Sequence, residues 1–162
     1  MKKTMLVAAL TSLAAITVSN AADYFKSVSV ETLGVFKHSG PSFGEVDYGA
    51  GVALGYDFNK YVTGYVRALT YQEDNNWHGG AIDEGSVLFE SNLFQTKKGG
   101  AALGIIGGVD RNFFKNDWGL SVGLCPSFKL TSQLSVFAES RIGVWIHDER
   151  TLTTTVGFNW HF

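Results

Sequence analysis

The sequence predicts an all-β protein, an eight-stranded antiparallel β-barrel with an up-and-down meander, and three observations support this prediction. The first is composition: 19 glycines and 12 phenylalanines stand beside two prolines, which favours strands over helices. The second is a period of two, because apolar residues alternate with small or polar ones along eight segments. The third is the final segment, 151–162, which is long, aromatic and unsuited to an unpaired sheet edge.

The first 21 residues have the features of a secretory signal peptide. Lys2 and Lys3 precede an apolar run that is too short for a membrane helix, and Ser19-Asn20-Ala21 is a small-x-small cleavage site. We therefore expect a signal peptide at 1–21 and one barrel domain at 22–162. Loss of the two lysines changes the formal charge from −2 to −4, so nucleic acid is not an expected partner.

The rest of the chain predicts neither an internal disulfide nor a membrane-spanning helix. The only cysteine, Cys125, cannot form an internal disulfide, so the fold has to form without one. No segment after residue 21 has 18 consecutive apolar residues, which excludes helical membrane spans. If this chain enters a membrane, we therefore expect it to do so as a closed barrel.

Eight segments carry the alternating pattern. The predicted strands are 25–37, 46–58, 61–71, 85–95, 101–110, 118–130, 134–146 and 151–162. The first alternates least clearly, because Leu33 and Val35 share the parity of Ser29 and Glu31. The second is the clearest, since aromatic and aliphatic residues at its even positions oppose mainly Gly, Ala and Asp at its odd positions.

The third to eighth segments repeat the alternation. Their apolar faces include Val62, Val66 and Ala68; Val87, Phe89 and Leu93; Leu103, Ile105 and Val109; Leu120, Val122 and Leu124; Ile142 and Val144; Val156 and Phe158. The sixth segment contains Pro126, which removes a ladder donor, so we expect a β-bulge there.

The connections between these strands alternate in length. The loops after the first, third, fifth and seventh strands are longer on average than the turns after the second, fourth and sixth. An outer-membrane barrel with both termini in the periplasm has short turns on that side and longer loops outside. We therefore predict a transmembrane barrel with both termini periplasmic.

Alternation alone does not say which face is outside, because a soluble sandwich or a lipocalin also alternates. The polar parity is crowded with glycine and serine, as a narrow eight-stranded interior requires. Aromatic residues on the apolar parity gather near the strand ends, as in the two interfacial girdles of membrane barrels. We therefore expect the bulky apolar face to contact lipid.

The final strand also resembles a known family signature. Its alternation and its ending, Trp160-His161-Phe162, look like the C-terminal signature of bacterial outer-membrane β-barrels. That resemblance implies that Phe158, Trp160 and Phe162 are read by the barrel-insertion machinery, with periplasmic chaperones and outer-membrane lipid and lipopolysaccharide as further partners. As a whole pattern the chain is similar to the transmembrane domain of the OmpA family, which implies a monomer in the outer membrane of a Gram-negative-type bacterium.

Mid-strand charges fall mainly on the inward parity. The candidate lumenal ionic cluster is Glu31, Arg67, Glu90, Lys129, Glu139 and Arg141. Arg67 and Glu90 lie on neighbouring strands with parities that allow direct pairing, and charges in a confined lumen need partners. A salt-bridged plug is the first interpretation, and a gated ion path is the second. The OmpA family resembles this chain in having such a lumenal cluster.

A third hypothesis is enzymatic, because some small outer-membrane barrels modify lipid A with a His, a Ser and an acid. The candidates are His38 beside Ser39, His78 near Asp83 and Glu84, and His147 beside Asp148. The chain has no His-x-Ser, which the deacylases would require, and no zinc signature. We therefore predict no enzymatic activity and no cofactor, and we expect His161 to lie at the periplasmic mouth of the lumen.

Overall fold

The structure is a computed structural model that describes residues 28–40, 43–73, 76–77, 82–96, 100–147 and 150–162. Its main strands are β1 (Val28–Ser39), β2 (Glu45–Asn59), β3 (Val62–Glu73), β4 (Glu84–Gln95), β5 (Ala101–Asn112), β6 (Asp117–Lys129), β7 (Leu134–Trp145) and β8 (Arg150–His161). A two-residue strand, Asn76–Trp77, pairs with the end of β3. The predicted signal peptide lies outside the described residues. Within them, no helix has the length and apolar character needed to cross a membrane.

These eight strands form one closed antiparallel barrel. Each strand pairs with the next in the chain, and β8 pairs with β1 over ten residue pairs, from Ser29 with His161 to His38 with Leu152. The sheet therefore has no open edge along these strands, and the final strand has a neighbour on both sides. The predicted fold, an eight-stranded antiparallel meander, is confirmed.

The register fixes the tilt and width of the barrel. A path of paired residues that starts at Val28 and crosses every strand returns to β1 at His38, ten residues further on; it passes Tyr56, Gly64, Phe89, Gly107, Val122, Ile142 and Leu152. This stagger of about 33 Å along the strands, against about 38 Å across eight of them, tilts the strands by about 40°. Such a barrel is just wide enough for side chains to fill its interior.

The barrel has two ends that differ in their connections. We call the end with Val28 and His161 the terminal end, where the connections are 60–61, 96–100 and 130–133. The opposite, loop end has the connections 40–44, 74–83, 113–116 and 146–149. The longest connection therefore lies at the loop end, between β3 and β4.

The expected bulge at Pro126 is wrong. Pro126 pairs with Leu103 of β5 in an unbroken register, and the β6–β7 register is the same on both sides of it. The β6–β7 pairing lapses only at Cys125 and Pro126, because proline has no N–H to give to the ladder. The register shifts that do occur lie elsewhere near the terminal end, at Asp57/Asn59 and at Asn92/Phe94.

Burial sorts the residues of each strand as the parity predicted. Odd residues of β1, β3 and β8 and even residues of β4 are mainly buried in the lumen, whereas their neighbours face outward. Leu33 and Val35, which obscured the pattern of the first strand, are buried with Leu69, Leu88 and other apolar residues. The lumen is thus partly apolar, which is why the first strand alternated poorly.

Glycine is required where neighbouring strand backbones approach closely inside the barrel. A Cβ added at Gly123 would lie 2.7 Å from the Cα of Arg141 and would also collide with the Ser140 carbonyl. By contrast, a Cβ at the outward-facing Gly34 would have its nearest neighbours at 3.8 Å, an ordinary contact. Inward and outward glycines therefore differ in their tolerance of a methyl group.

We expect Gly123→Ala to destabilise the barrel by about 1–3 kcal/mol, because the added methyl group forces two strands apart. Gly34→Ala is the matched control and should be neutral or stabilise by about 0.4–1 kcal/mol, through the lower entropy of the unfolded chain. Urea unfolding of both variants in lipid vesicles measures the difference. Equal unfolding free energies would contradict the described packing between β6 and β7.

Candidate functional site

The centre of the lumen holds an ion-pair network around Arg67. Its Nη1 donates to both carboxylate oxygens of Glu139, each at 3.0 Å, and its Nη2 donates to Glu31 at 3.1 Å. Asn159 donates from Nδ2 to the other oxygen of Glu31 at 3.2 Å. All four residues are buried, so this bidentate geometry compensates charges that have lost their water.

A second arginine continues the network toward the loop end. Nε of Arg141 lies 2.5 Å from Glu139, and its Nη1 donates to Asp110 at 3.0 Å and to the Ser121 hydroxyl at 2.8 Å. Asp110 also accepts hydrogen bonds from Ser86 and Ser121, at 2.6 and 2.5 Å. Residues from β1, β3, β4, β5, β6, β7 and β8 thus meet in one connected network across the lumen.

A separate ion pair lies in the lumen near the loop end. Lys37 lies 2.6 Å from Glu84, and both are buried. The ammonium group of Lys37 is 4.6 Å from the ring centre of Trp145 and 5.3 Å from that of Tyr71. Cation–π contacts in a desolvated site add to the ion pair. The loop end therefore has a compact cluster made of one lysine, one carboxylate and two aromatic rings, which we call the loop-end cluster.

The terminal end of the lumen is open instead. A cavity of about 580 Å³ extends from the mouth of the barrel to the central network. Glu31, Glu90, Tyr65 and Asn159 line it, with Lys129 and other polar residues. Glu90 accepts a hydrogen bond from the Tyr65 hydroxyl at 3.1 Å, whereas Lys129 is exposed at the mouth.

The structure brings together only part of the candidate cluster. Glu31, Arg67, Glu139 and Arg141 contact one another in the centre, while Glu90 and Lys129 line the cavity. Arg67 and Glu90, whose parities allow direct pairing, do not pair with each other, because the register places Arg67 opposite Ser86 and Glu90 opposite Thr63. Arg67 binds Glu139 across the lumen instead.

Sequence reasoning missed several partners of these charges. The inward parity of Lys37 and Glu84 does not predict that they pair. Sequence reasoning also gives no role in the network to four residues, Tyr65, Ser86, Ser121 and Asn159. Parity could have placed all of them in the lumen. Their pairing depends on which strands face each other across the barrel, and that depends on the stagger.

The exterior is apolar over the middle of the barrel. Large exposed side chains there include Leu54, Val66, Val87, Ile105, Val122, Leu124, Ile142 and Val156. Aromatic pairs lie near both ends: Phe36 and Tyr48, 5.7 Å apart, at the loop end, and Phe158 and Trp160, 6.0 Å apart, at the terminal end. A surface this apolar is unsuited to water but suited to lipid.

The histidine candidates do not assemble a catalytic site in the described residues. Ser39 is buried in the lumen, whereas His38 has the opposite, outward parity, so the two side chains cannot act together. His147 lies 3.0 Å from Asp117, while His78 and Asp148 lie outside the described residues. In the part of the chain that the structure covers, no group of three or more His, Cys, Asp or Glu is arranged to hold a metal ion.

Solved structures resemble this chain in fold. The attachment invasion locus protein (Ail) of Yersinia pestis has a TM-score of 0.55 and 13% identity, covering 84% of this chain and 99% of that one. A barrel from the de novo design of transmembrane β-barrels has a TM-score of 0.53 and 12% identity, covering 83% and 95%. The designed TMB2.3 has a TM-score of 0.54 and 11% identity, covering 87% and 98%. No family model and no curated protein matches. The likeness shows the fold alone, which is that of transmembrane β-barrels.

We expect Glu139→Leu to lower the free energy of unfolding by about 3–5 kcal/mol, because it leaves buried guanidinium groups without a shared carboxylate. Lys129→Gln is the control. It removes a charge of the same candidate cluster at an exposed position, so its effect should stay within about 0.5 kcal/mol. Denaturant titration in vesicles compares the two. A larger loss for Lys129→Gln would contradict the described placement of both residues.

Proposed function

We propose that this chain is an integral outer-membrane β-barrel protein with a structural and surface-interaction role and a largely plugged lumen. The single observation that carries the proposal is the inverted surface of the closed barrel, with apolar residues outside and ion pairs inside. A soluble barrel of this size would bury its apolar face. Lipid is therefore the solvent that suits the exterior.

Two features support a plugged lumen. The network around Arg67 and Arg141 crosses the centre, and the pair of Lys37 with Glu84 lies under two aromatic rings near the loop end. Both arginines are almost completely buried. The hydrogen bonds of Arg67 reach Glu139 on the opposite wall of the barrel, and Arg141 binds Asp110 two strands away. An ion would have to break charge-assisted hydrogen bonds at two levels to pass.

The surface role is assigned to the loop end. Each of its four connections carries an exposed apolar side chain among the described residues: Phe43, Ile82, Phe113, Phe114 and Ile146. Arg111 stacks on Trp118 at 4.7 Å on the outer rim. Exposed apolar groups rimmed by charge are typical of protein or membrane contact sites. The structural neighbour Ail carries attachment and invasion in its name, which suits the same kind of role here.

The remaining parts of the proposal follow from a location in the outer membrane. The terminal end, with its shorter connections, faces the periplasm, and the loop end faces outward. Phe158, Trp160 and Phe162 form the signature that the insertion machinery reads after periplasmic chaperones deliver the chain. The folded protein is a monomer surrounded by outer-membrane lipid and lipopolysaccharide, without a cofactor or an enzymatic activity.

The membrane assignment predicts that the cost of a charge depends on depth. Val66 is 63% exposed in the middle of β3, and Val46 is 40% exposed near the loop end of β2. We expect Val66→Arg to cost about 2–4 kcal/mol in bilayers and Val46→Arg only about 0–1 kcal/mol. In cells, the first variant should be depleted from the outer-membrane fraction and the second retained. Equal costs, with the wild type absent from that fraction, would refute the proposal.

A narrow pore is the second candidate, and the open cavity at the terminal end favours it. The cavity extends from that mouth to the central network, so only the network and the loop-end cluster separate the two mouths. In a pore of this kind, the ion pairs form the gate, and the gate opens when the charged side chains exchange partners.

For this second candidate we expect Arg141→Ala to increase conductance in planar bilayers, because Arg141 links Glu139 to Asp110 inside the lumen. Lys129→Ala, at the exposed mouth, should leave conductance near the wild-type level. Single-channel recording of the three proteins measures this. If wild type and Arg141→Ala are both silent, the pore candidate is removed and the plugged barrel stands.

A further inference from the structure

The terminal-end cavity has an excess of negative charge at its inner end. Four buried carboxylates lie in or beside the central network against only two guanidinium groups, and two of these carboxylates, Glu31 and Glu90, line the cavity. Glu139 and Asp110 are satisfied by the arginines, and Glu31 shares Arg67. Among the described residues, Glu90 makes no ion pair within 4 Å; Arg67 acts on it only at longer range, and its hydrogen bond comes from the Tyr65 hydroxyl. Buried carboxylates need compensation, so this excess favours uptake of a cation.

A second, independent observation lies at the same place. Asn159 is 5% exposed and lines the cavity beside Glu31. Its amide group donates to the Glu31 carboxylate, which leaves Oδ1 as an acceptor, and this oxygen has no hydrogen-bond partner. A buried acceptor without a partner is costly, so a hydrogen-bond donor is favoured there. The inner end of the cavity therefore offers both negative charge and an acceptor oxygen.

The size and walls of the cavity fit an organic cation better than a metal ion. Its volume of about 580 Å³ is in the range of small-molecule sites. The rings of Tyr65 and Phe137 line it beside the carboxylates, and aromatic faces attract ammonium groups. In the described residues no acidic cluster has the arrangement that a metal requires. An ammonium group brings its own three donors to these acceptors.

We propose that the terminal-end cavity binds a primary ammonium compound, with its charged group beside Glu31, Glu90 and Asn159. The alkyl part lies toward the mouth, along Phe137 and Tyr65. Lys60 and Lys129 at the rim are exposed to solvent. Dissolved salt therefore screens their repulsion of the ammonium group over a length of about 8–10 Å. The site depends on the folded barrel and is independent of its location in a membrane.

The test is calorimetric titration of the folded full chain in detergent micelles with butylammonium, and with butanol as the neutral isostere. We expect butylammonium to bind and butanol not to bind. Glu90→Gln should weaken binding at least about tenfold, which corresponds to about 1.4 kcal/mol. Asp57→Asn is the matched control, because it removes a carboxylate of the same cavity near the mouth and should change affinity less than twofold.

A compact band before heating on a detergent gel verifies that each variant is folded. If Glu90→Gln does not fold, Asn159→Leu replaces it, with the same expected loss of affinity. Three results would overturn the proposal. They are no binding of butylammonium to the folded wild type, equal binding of butanol, or an unchanged affinity of the folded variants. Any of these results leaves the outer-membrane assignment intact, since cell fractionation tests that separately.

Discussion

The closed circle of eight strands with a ten-residue stagger is the constraint on which the rest of the structure depends. In it, every strand has a hydrogen-bonded neighbour on both sides, so the chain has no sheet edge to protect. It also makes the interior narrow, so inward positions must alternate between glycine and a few large side chains. Close backbone contacts, such as that of Gly123 with Arg141, follow from the same curvature.

A narrow lumen sets the behaviour of the charges placed in it. Arg67 reaches Glu139 and Glu31 on other walls because no inward side chain is far from the opposite strand. The two arginines pair with the carboxylates of the central network and Lys37 pairs with Glu84 near the loop end, whereas Glu90 near the terminal end makes no ion pair with any described residue. The lumen thus has buried ion pairs at two levels and an open, acid-lined cavity at the third. This asymmetry along the barrel axis is the reason we propose that the ion pairs plug the lumen and that the terminal-end cavity binds a ligand.

Much of the fold could be predicted because lipid and lumen impose different residue types on alternate positions. The predicted strand 46–58 and the observed Glu45–Asn59 differ by one residue at each end, since even and odd positions differ so clearly there. The first strand was less clear because Leu33 and Val35 pack inside, where apolar and charged residues share the lumen. Cross-lumen pairs, such as Lys37 with Glu84, could not be predicted, because they depend on the stagger of the whole barrel. No local sequence pattern specifies that stagger. For the same reason, parity alone could not show that Arg67 and Glu90 do not lie opposite each other.

The central claim is that the bulky apolar face contacts lipid and the charged face lines the lumen. Tryptophan fluorescence in vesicles of brominated lipid tests it most directly, because bromine quenches only rings that lie within the acyl region. Trp118 and Trp160 face outward, whereas Trp145 is buried beside Lys37. With single-tryptophan variants, we expect strong quenching for Trp160 and Trp118 and little for Trp145. Strong quenching of Trp145 with weak quenching of the other two would contradict the account.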